Sequence, residues 1–178
     1  MYLERELRCS TNGEMLLIKC IQPADVNNEY VNSLNNEKKY LETKSDCVTI
    51  FNQKKYVREL LLTSDRLLLG LFYQNELIGT SGCQFINSKE SSLGILIFDS
   101  WRGRGFGKLL VWMAASFLIK EANVSILRAG MKIDNLASLD SFLKCGFSIT
   151  ETSVTHYYVV VDGRHLKLPL GNGLLEIV

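Results

Sequence analysis

Ile95-Leu96-Ile97-Phe98-Asp99-Ser100-Trp101-Arg102-Gly103-Arg104-Gly105-Phe106-Gly107-Lys108 carries an apolar strand into a glycine-rich turn that opens directly onto a long helix. Glycines at 103, 105 and 107 remove the side chains that would hold a ligand away from the main chain. The first N–H groups of a helix have no partner within it, and the helix dipole places partial positive charge there. Arg102, Arg104 and Lys108 add formal positive charge. Together these features describe an anion site, most naturally for a pyrophosphate. A plain turn that packs a helix on a sheet would use the same glycines, so the pattern must decide.

Two phosphate loops fail on spacing. A GxGxxG fingerprint counted from Gly103 meets Lys108 at its sixth position, and counted from Gly105 it meets Leu110. A Walker A loop needs Ser or Thr after Gly-Lys, whereas Gly107-Lys108 precedes Leu109. The pattern that fits is Arg/Gln-x-x-Gly-x-Gly/Ala, here Arg102 to Gly107.

Upstream, Met15–Ile21 is a short apolar run that stops before Pro23 and reads as a first strand. Residues 24–62 turn helical, with Val26, Tyr30 and Leu34 four apart and then Tyr56, Leu60 and Leu61. Arg66–Tyr73 and Leu77–Phe85 pair as a hairpin around a turn at Asn75-Glu76, and Ser91–Phe98 follows as a strand. Downstream, Lys108–Ala122 is apolar on nearly every side and reads as a buried helix. Ser125–Met131 is a strand, Leu136–Lys144 a helix closed by Gly146, and His156–Val161 a last strand. Antiparallel strands followed by a β-α-β unit predict an α/β fold of the α+β type. Its single domain, residues 1–178, holds a central mixed, mostly antiparallel sheet flanked by helices on both faces.

Composition bounds the function. The chain is 47% hydrophobic and 22% charged, which is globular, and its 20 basic and 19 acidic residues argue against nucleic acid as a partner. Five scattered cysteines read as reduced thiols, and two histidines without an HExxH pattern predict no metal site. Met1–Leu7 carries charges where a signal peptide needs an apolar stretch, and Leu109–Ile119 is too short to cross a bilayer. The expectation is a cytoplasmic protein without membrane insertion. Leu174, Leu175, Ile177 and Val178 at the end of the tail 162–178 suit packing on the domain itself or on a second subunit, so a homo-oligomer stays open.

Residues 102–107 resemble the pyrophosphate loop of the GNAT N-acetyltransferase family. A second stretch, Asp134-Asn135-Leu136-Ala137-Ser138 continuing to Gly146-Phe147, resembles that family's later motif, Asn-x-x-Ser/Ala followed by a helix and Gly-Phe. The resemblance implies acetyl-CoA as co-substrate and direct transfer of its acetyl group to a primary amine. By position, it puts the pantetheine arm along Ile95, Leu96 and Ile97. The pyrophosphate falls on Arg102, Gly103, Arg104, Gly105, Phe106, Gly107 and Lys108. Asn135 would both cap its helix and bond the pantetheine arm. Ser138 is a lesser cofactor contact or a solvated helix residue, with nothing to choose between them. The N–H near Ile97 is implied as oxyanion donor, beside a bulge in its strand. The cofactor-binding core would occupy about 91–147 and the acceptor half about 15–90.

The sequence departs from the family at Phe142, where many members carry the Tyr that protonates the departing thiolate. The general base is unassigned. His156, Glu42 and Tyr157 are candidates, against plainer readings as a strand residue, a solvated carboxylate and a packing ring. A site without an obvious strong base suits weakly basic amines, such as α-amines and amino sugars, better than lysine. Asn28–Lys44 resembles bacterial acetyltransferases that modify nucleotide-linked amino sugars, and the ribosomal-protein α-amine enzymes share a related pattern. The first-choice acceptor is therefore a small-molecule amine, a nucleotide-linked amino sugar. The alternatives are a protein N-terminal α-amine and a non-catalytic coenzyme A-binding module.

Overall fold

Arg66–Tyr73 is apolar at nearly every position because the structure covers it on both sides. Leu67, Leu69 and Leu71 join the larger of two core clusters, while Leu68 and Phe72 pack into the smaller. The computed structural model describes residues 4–11, 14–41, 47–169 and 176–177. Within them run β1 (Glu6–Thr11), β2 (Glu14–Cys20), α1 (Asn28–Asn36), α2 (Ile50–Leu60), β3 (Arg66–Tyr73), β4 (Glu76–Phe85) and β5 (Glu90–Ile97). After these come α3 (Phe106–Ala122), β6 (Ile126–Lys132), α4 (Leu136–Lys144), β7 (Ser148–Thr152), β8 (His156–Asp162) and β9 (Glu176–Ile177).

The strands form one sheet in the order β7-β8-β6-β5-β4-β3-β2-β1-β9. Every neighbouring pair is antiparallel except β5–β6, so the predicted mixed, mostly antiparallel sheet is the one observed. α3 and α4 cover one face, where Leu110, Val111, Met113, Phe117 and Leu118 of α3 are fully buried. Burying each such side chain contributes about 2 kcal/mol. The other face carries α1 and α2 through Tyr30, Val31 and Val57.

Several boundaries differ from the sequence reading for identifiable reasons. The hairpin turn is Gln74-Asn75, not Asn75-Glu76: both residues have positive φ (50° and 65°), as a two-residue turn between twisted strands requires, and Glu76 already pairs with Tyr73. α3 starts at Phe106 rather than Lys108, because Gly105 at φ 84° forms its N-cap. β1 precedes the expected first strand, and its short alternation of Leu7 and Cys9 with polar neighbours is a weak signal. All five residues of β7 are exposed, which leaves no apolar pattern to read. The tail returns to the sheet, with Ile177 opposite Cys9 and Glu176 opposite Ser10.

One ladder matters most for the site. β4 and β5 stay paired from Phe85↔Ser91 to Gly79↔Ile97 in unbroken register, and β6 and β8 from Ile126↔Asp162 to Lys132↔His156. β5 and β6 pair only at Glu90↔Ile126, Ser91↔Leu127 and Ser92↔Arg128, and then part. The opening therefore arises from two long ladders diverging. The expected bulge in β5 is absent from its pairing with β4, and the register shift lies instead between β3 and β4, at Leu71/Phe72.

The end of α4 is held by two reverse-turn hydrogen bonds, Gly146 N–H to Leu143 O (3.0 Å) and Phe147 N–H to Phe142 O (3.3 Å). Phe142 and Phe147 close this motif edge to face at 5.0 Å. Gly146 has φ 91°, and a Cβ there would lie 2.6 Å from the His165 carbonyl oxygen. Gly146→Ala should therefore cost roughly 2 kcal/mol or more in urea unfolding. Gly82, where a Cβ meets nothing within 4 Å, should tolerate Ala within about 0.5 kcal/mol.

Candidate active site

The turn after β5 is built to present main-chain N–H groups. Gly103 (φ 74°) and Gly105 (φ 84°) both take left-handed conformations, and a Cβ at Gly103 would meet nothing within 4 Å. The N-cap of α3 has no side-chain hydrogen bond, so the first amides of the helix stay open to a ligand. Tyr73, Trp101 and Phe106 support the turn as an aromatic cluster with ring centroids 5.3–5.7 Å apart. Gly107 does a different job from its neighbours. A Cβ there would lie 2.8 Å from Ser141 Oγ, so this glycine lets α3 approach α4.

The three cations of the loop are not equivalent. Arg102 is engaged on all sides: Nε donates to Ile97 O (3.0 Å), and its two terminal nitrogens meet Glu37 (2.5 Å) and Asp99 (3.0 Å). Asp99 also accepts from Asn36 Nδ2 (2.6 Å), and its N–H donates to Ser33 Oγ (3.0 Å). Arg102 thus fastens the loop to the end of α1. Arg104 lies over the Trp101 ring at 4.9 Å, and neither it nor Lys108 has a carboxylate partner among the described residues.

Strand phase sets which groups face the opening. Phe98 N–H donates to Ile78 O (3.0 Å), so alternation turns the N–H groups of Ile97 and Ile95 away from β4 and toward the gap beside β6. A continuous cleft of about 1620 Å³ runs from the loop through this gap to the face covered by α1 and α2. Ile95, Leu96, Ile97, Arg102, Gly103, Gly105, Phe106, Gly107, Lys108, Asn135 and Ser138 border it, whereas Arg104 stands outside. Asn135 caps α4 by accepting from Ser138 N–H (3.2 Å), and its amide nitrogen has no partner among the described residues.

The three catalytic candidates are not brought together. His156 borders the cleft, with Nδ1 2.9 Å from Thr155 Oγ1 and its ring stacked on Tyr158 at 6.1 Å. Tyr157 points to the opposite side of β8 and packs against the larger core cluster, because neighbouring strand residues face opposite ways. Tyr158, one residue on, borders the cleft instead. Glu42 lies outside the described residues. Phe142 is 1% exposed, and its ring serves the α4 terminus.

The cleft also holds polar groups that residue spacing did not reveal. Tyr30, Gln53 and Thr80 are buried together on the α1–α2 side, with Gln53 Nε2 donating to Tyr30 Oη (3.0 Å). Burial pushes the Tyr30 hydroxyl up to about 12, so it keeps its proton. Cys145 is the thiol nearest the loop. It donates to Lys108 O (3.2 Å), and burial pushes it up to about 12, so it supplies no thiolate nucleophile. Among the described residues no group of three or more His, Cys, Asp or Glu side chains could hold a metal, and no helix is long and apolar enough to cross a membrane.

These placements separate binding from support in the loop. Lys108→Ala should weaken coenzyme A binding about threefold to tenfold at low salt, with the effect shrinking as ionic strength rises. Arg102→Ala should appear mainly as lower stability, about 1 kcal/mol because the pairs are partly exposed. Calorimetric titration and urea unfolding of both variants separate the two roles.

Comparison with known proteins agrees with this geometry. The sequence profile of the Acetyltransferase (GNAT) family matches residues 30–147. No curated protein sequence gives a significant match. Among solved structures, spermidine N-acetyltransferase from Vibrio cholerae in complex with coenzyme A and spermine is 14% identical, with a TM-score of 0.71 over 84% of this chain and 96% of that one. RimL, a ribosomal alpha-N-protein acetyltransferase in complex with coenzyme A, is 14% identical, with a TM-score of 0.72 over 83% and 93%. The Campylobacter jejuni N-acetyltransferase PseH in complex with acetyl coenzyme A is 18% identical, with a TM-score of 0.63 over 82% and 98%. With the profile covering most of the chain, an amide-lined glycine loop on a parted parallel strand pair finds its explanation: the chain belongs to the GNAT family of N-acetyltransferases, which use acetyl-CoA as co-substrate.

Proposed function

We propose that the protein acetylates the amine of an amino sugar carried on a nucleotide. The observation that carries this reading is the wall of the cleft on the α1–α2 side. It offers uncharged hydrogen-bonding groups (Tyr30, Gln53, Thr80, Gln84, Ser92) above a floor at Gly82 and Gly94. Of the carboxylates that border the cleft, Glu37 is held by Arg102 and Asp140 by Lys144 (2.6 Å), whereas Asp134 and Glu151 have no cation partner among the described residues, so the support for a sugar comes from the uncharged groups of this wall. A flat, hydroxylated, uncharged ring suits such a wall.

In this reading residues 91–147 form the cofactor-binding core and residues 15–90 the acceptor half. The amides of Gly103, Gly105, Phe106, Gly107 and Lys108 hold the pyrophosphate, with Lys108 and Arg104 adding positive charge. The open edge of Ile95, Leu96 and Ile97 pairs with the pantetheine arm, and Asn135 and Ser138 border it from α4. Acetyl-CoA supplies an activated thioester. The acceptor amine forms the new C–N bond as the C–S bond breaks, and the Ile97 N–H faces the carbonyl oxygen where charge develops. The buried cysteines, with Cys83 and Cys145 both pushed up to about 12, favour direct transfer over an acyl-cysteine. His156 is the candidate to take the amine proton, directly or through water. Because Phe142 has no proton to give, the sulfur leaves as thiolate and is protonated from solvent. An alkyl thiol pKa near about 8.5 makes that step accessible.

A second reading, transfer to a protein α-amine, is favoured by the likeness to RimL over most of both chains. The test is thiol release from acetyl-CoA with UDP-linked 4-amino sugars, simple amino sugars, spermidine and short peptides with free N-termini. We expect release with the sugar nucleotides. Release with peptides alone would select the second reading, and release with none, at intact coenzyme A affinity, would leave only a binding module.

A further inference from the structure

Strand register lines up one row of polar side chains across four neighbouring strands. Arg66 on β3 pairs with Gln84 on β4, Gln84 with Ser92 on β5, and Ser92 with Arg128 on β6. All four border the cleft. Alternation places them on the α1–α2 side: Leu68, two residues from Arg66, and Leu96, four from Ser92, both pack in the smaller core cluster. Ser92↔Arg128 is also the last pair before β5 and β6 part, so the row lies at the closed end of the gap.

Two half-exposed arginines thus bracket two neutral side chains. Arg66 meets Asp65 through Nε at 3.5 Å, and Arg128 meets Glu90 through Nε at 3.0 Å. Neither carboxylate borders the cleft. Beyond these contacts the side chains of Arg66, Gln84, Ser92 and Arg128 make no hydrogen bond among the described residues. The carboxylates that do border the cleft stand elsewhere: Glu37 after α1, Asp134 before α4, Asp140 on α4 and Glu151 on β7. Neighbouring strands lie about 4.8 Å apart, which sets the Arg66 and Arg128 main chains about 14 Å apart. Two arginine side chains reaching inward over that span close on a diphosphate.

The next row along these strands is bare. Leu68 pairs with Gly82 and Gly82 with Gly94, and a Cβ at either glycine would meet nothing within 4 Å. Gly94 stands two residues from Ser92 and three from Ile97, about 7 and 10 Å along the strand. A ring resting over Gly82 and Gly94 therefore has the strand edge offered to the thioester at one end and the arginine row at the other. A sugar with its amine and its glycosidic phosphate on different ring carbons presents its groups in that order.

Resting on the amino-sugar reading, we propose that Arg66 and Arg128, with Gln84 and Ser92 between them, form the subsite for the diphosphate that joins the acceptor sugar to its nucleoside. The guanidinium forks donate in pairs to phosphate oxygens, and the amide and hydroxyl donate to those that remain. The subsite selects a phosphate-linked sugar over the same sugar free, and it opposes the distal ammonium of a polyamine.

The test compares acetyl transfer to a UDP-linked 4-amino sugar and to the same amino sugar without its nucleotide, in the wild type, Arg66→Gln and Arg128→Gln. Each variant should lower kcat/KM for the linked sugar about tenfold and leave KM for acetyl-CoA, and kcat/KM for the free sugar, within about twofold. Arg128→Lys should recover only part of the loss, because it keeps the charge without the fork. Inorganic pyrophosphate should bind the coenzyme A-loaded wild type by calorimetry and bind each Gln variant about tenfold more weakly. Unchanged thermal unfolding controls for folding, since both ion pairs are partly exposed. Equal losses on both sugars, or no loss on the linked one, would overturn the subsite. A wild type that acetylates other amines and no sugar nucleotide would remove the acceptor reading. The subsite then stands if pyrophosphate binding still depends on both arginines, and falls if it does not.

Discussion

The parting of β5 from β6 beyond Ser92↔Arg128 is the constraint on which the rest of the site depends. A sheet edge left open inside a fold costs hydrogen bonds unless something occupies it. Here the cost is sustained by two long ladders, β4–β5 and β6–β8, that hold their strands on diverging paths. The opening joins the two faces of the sheet. The glycine loop and α4 stand on one side, and α1 and α2 on the other. Reactants that never share a face can then meet within one cleft.

Around that opening the loop is positioned by residues distant in sequence. Arg102 reaches Glu37 across 65 positions, and the Asp99 N–H reaches Ser33 across 66, so the loop is tied to α1 at two points. This arrangement spends one cation of the glycine motif on architecture and leaves Lys108 as a cation that borders the cleft without a carboxylate partner among the described residues. The glycines divide likewise. Gly103 and Gly105 are needed for their backbone conformation, and Gly107 is needed for the approach of Ser141.

Legibility in the sequence followed the range of the interactions. Arg66–Tyr73 and Leu136–Lys144 were predicted to the residue, because each carries its own pattern of burial or capping. The phosphate loop was readable for the same reason, since its glycines, cations and helix start are contiguous. β7 offered no apolar signal, and the hairpin turn depended on two positive φ angles that Gln74 does not advertise. The acceptor side was the least legible. Tyr30 fits a helical apolar stripe and conceals a hydroxyl whose partner, Gln53, lies 23 residues on. Choosing Tyr157 over Tyr158 was a question of strand parity. The glycines at 82 and 94 acquire meaning only once register sets them side by side.

The proposed chemistry asks little of the protein beyond position: an open strand edge, an amide-lined turn and a wall that selects the acceptor. The most direct test is amide hydrogen exchange at Ile95 and Ile97, followed by NMR with and without saturating coenzyme A. If β5 and β6 are parted and the cofactor pairs with the free edge, the Ile95 amide exchanges quickly in the free protein and slows tenfold or more when coenzyme A binds. Strong protection at Ile95 and Ile97 before any ligand is added, or no change on saturation, would contradict the account.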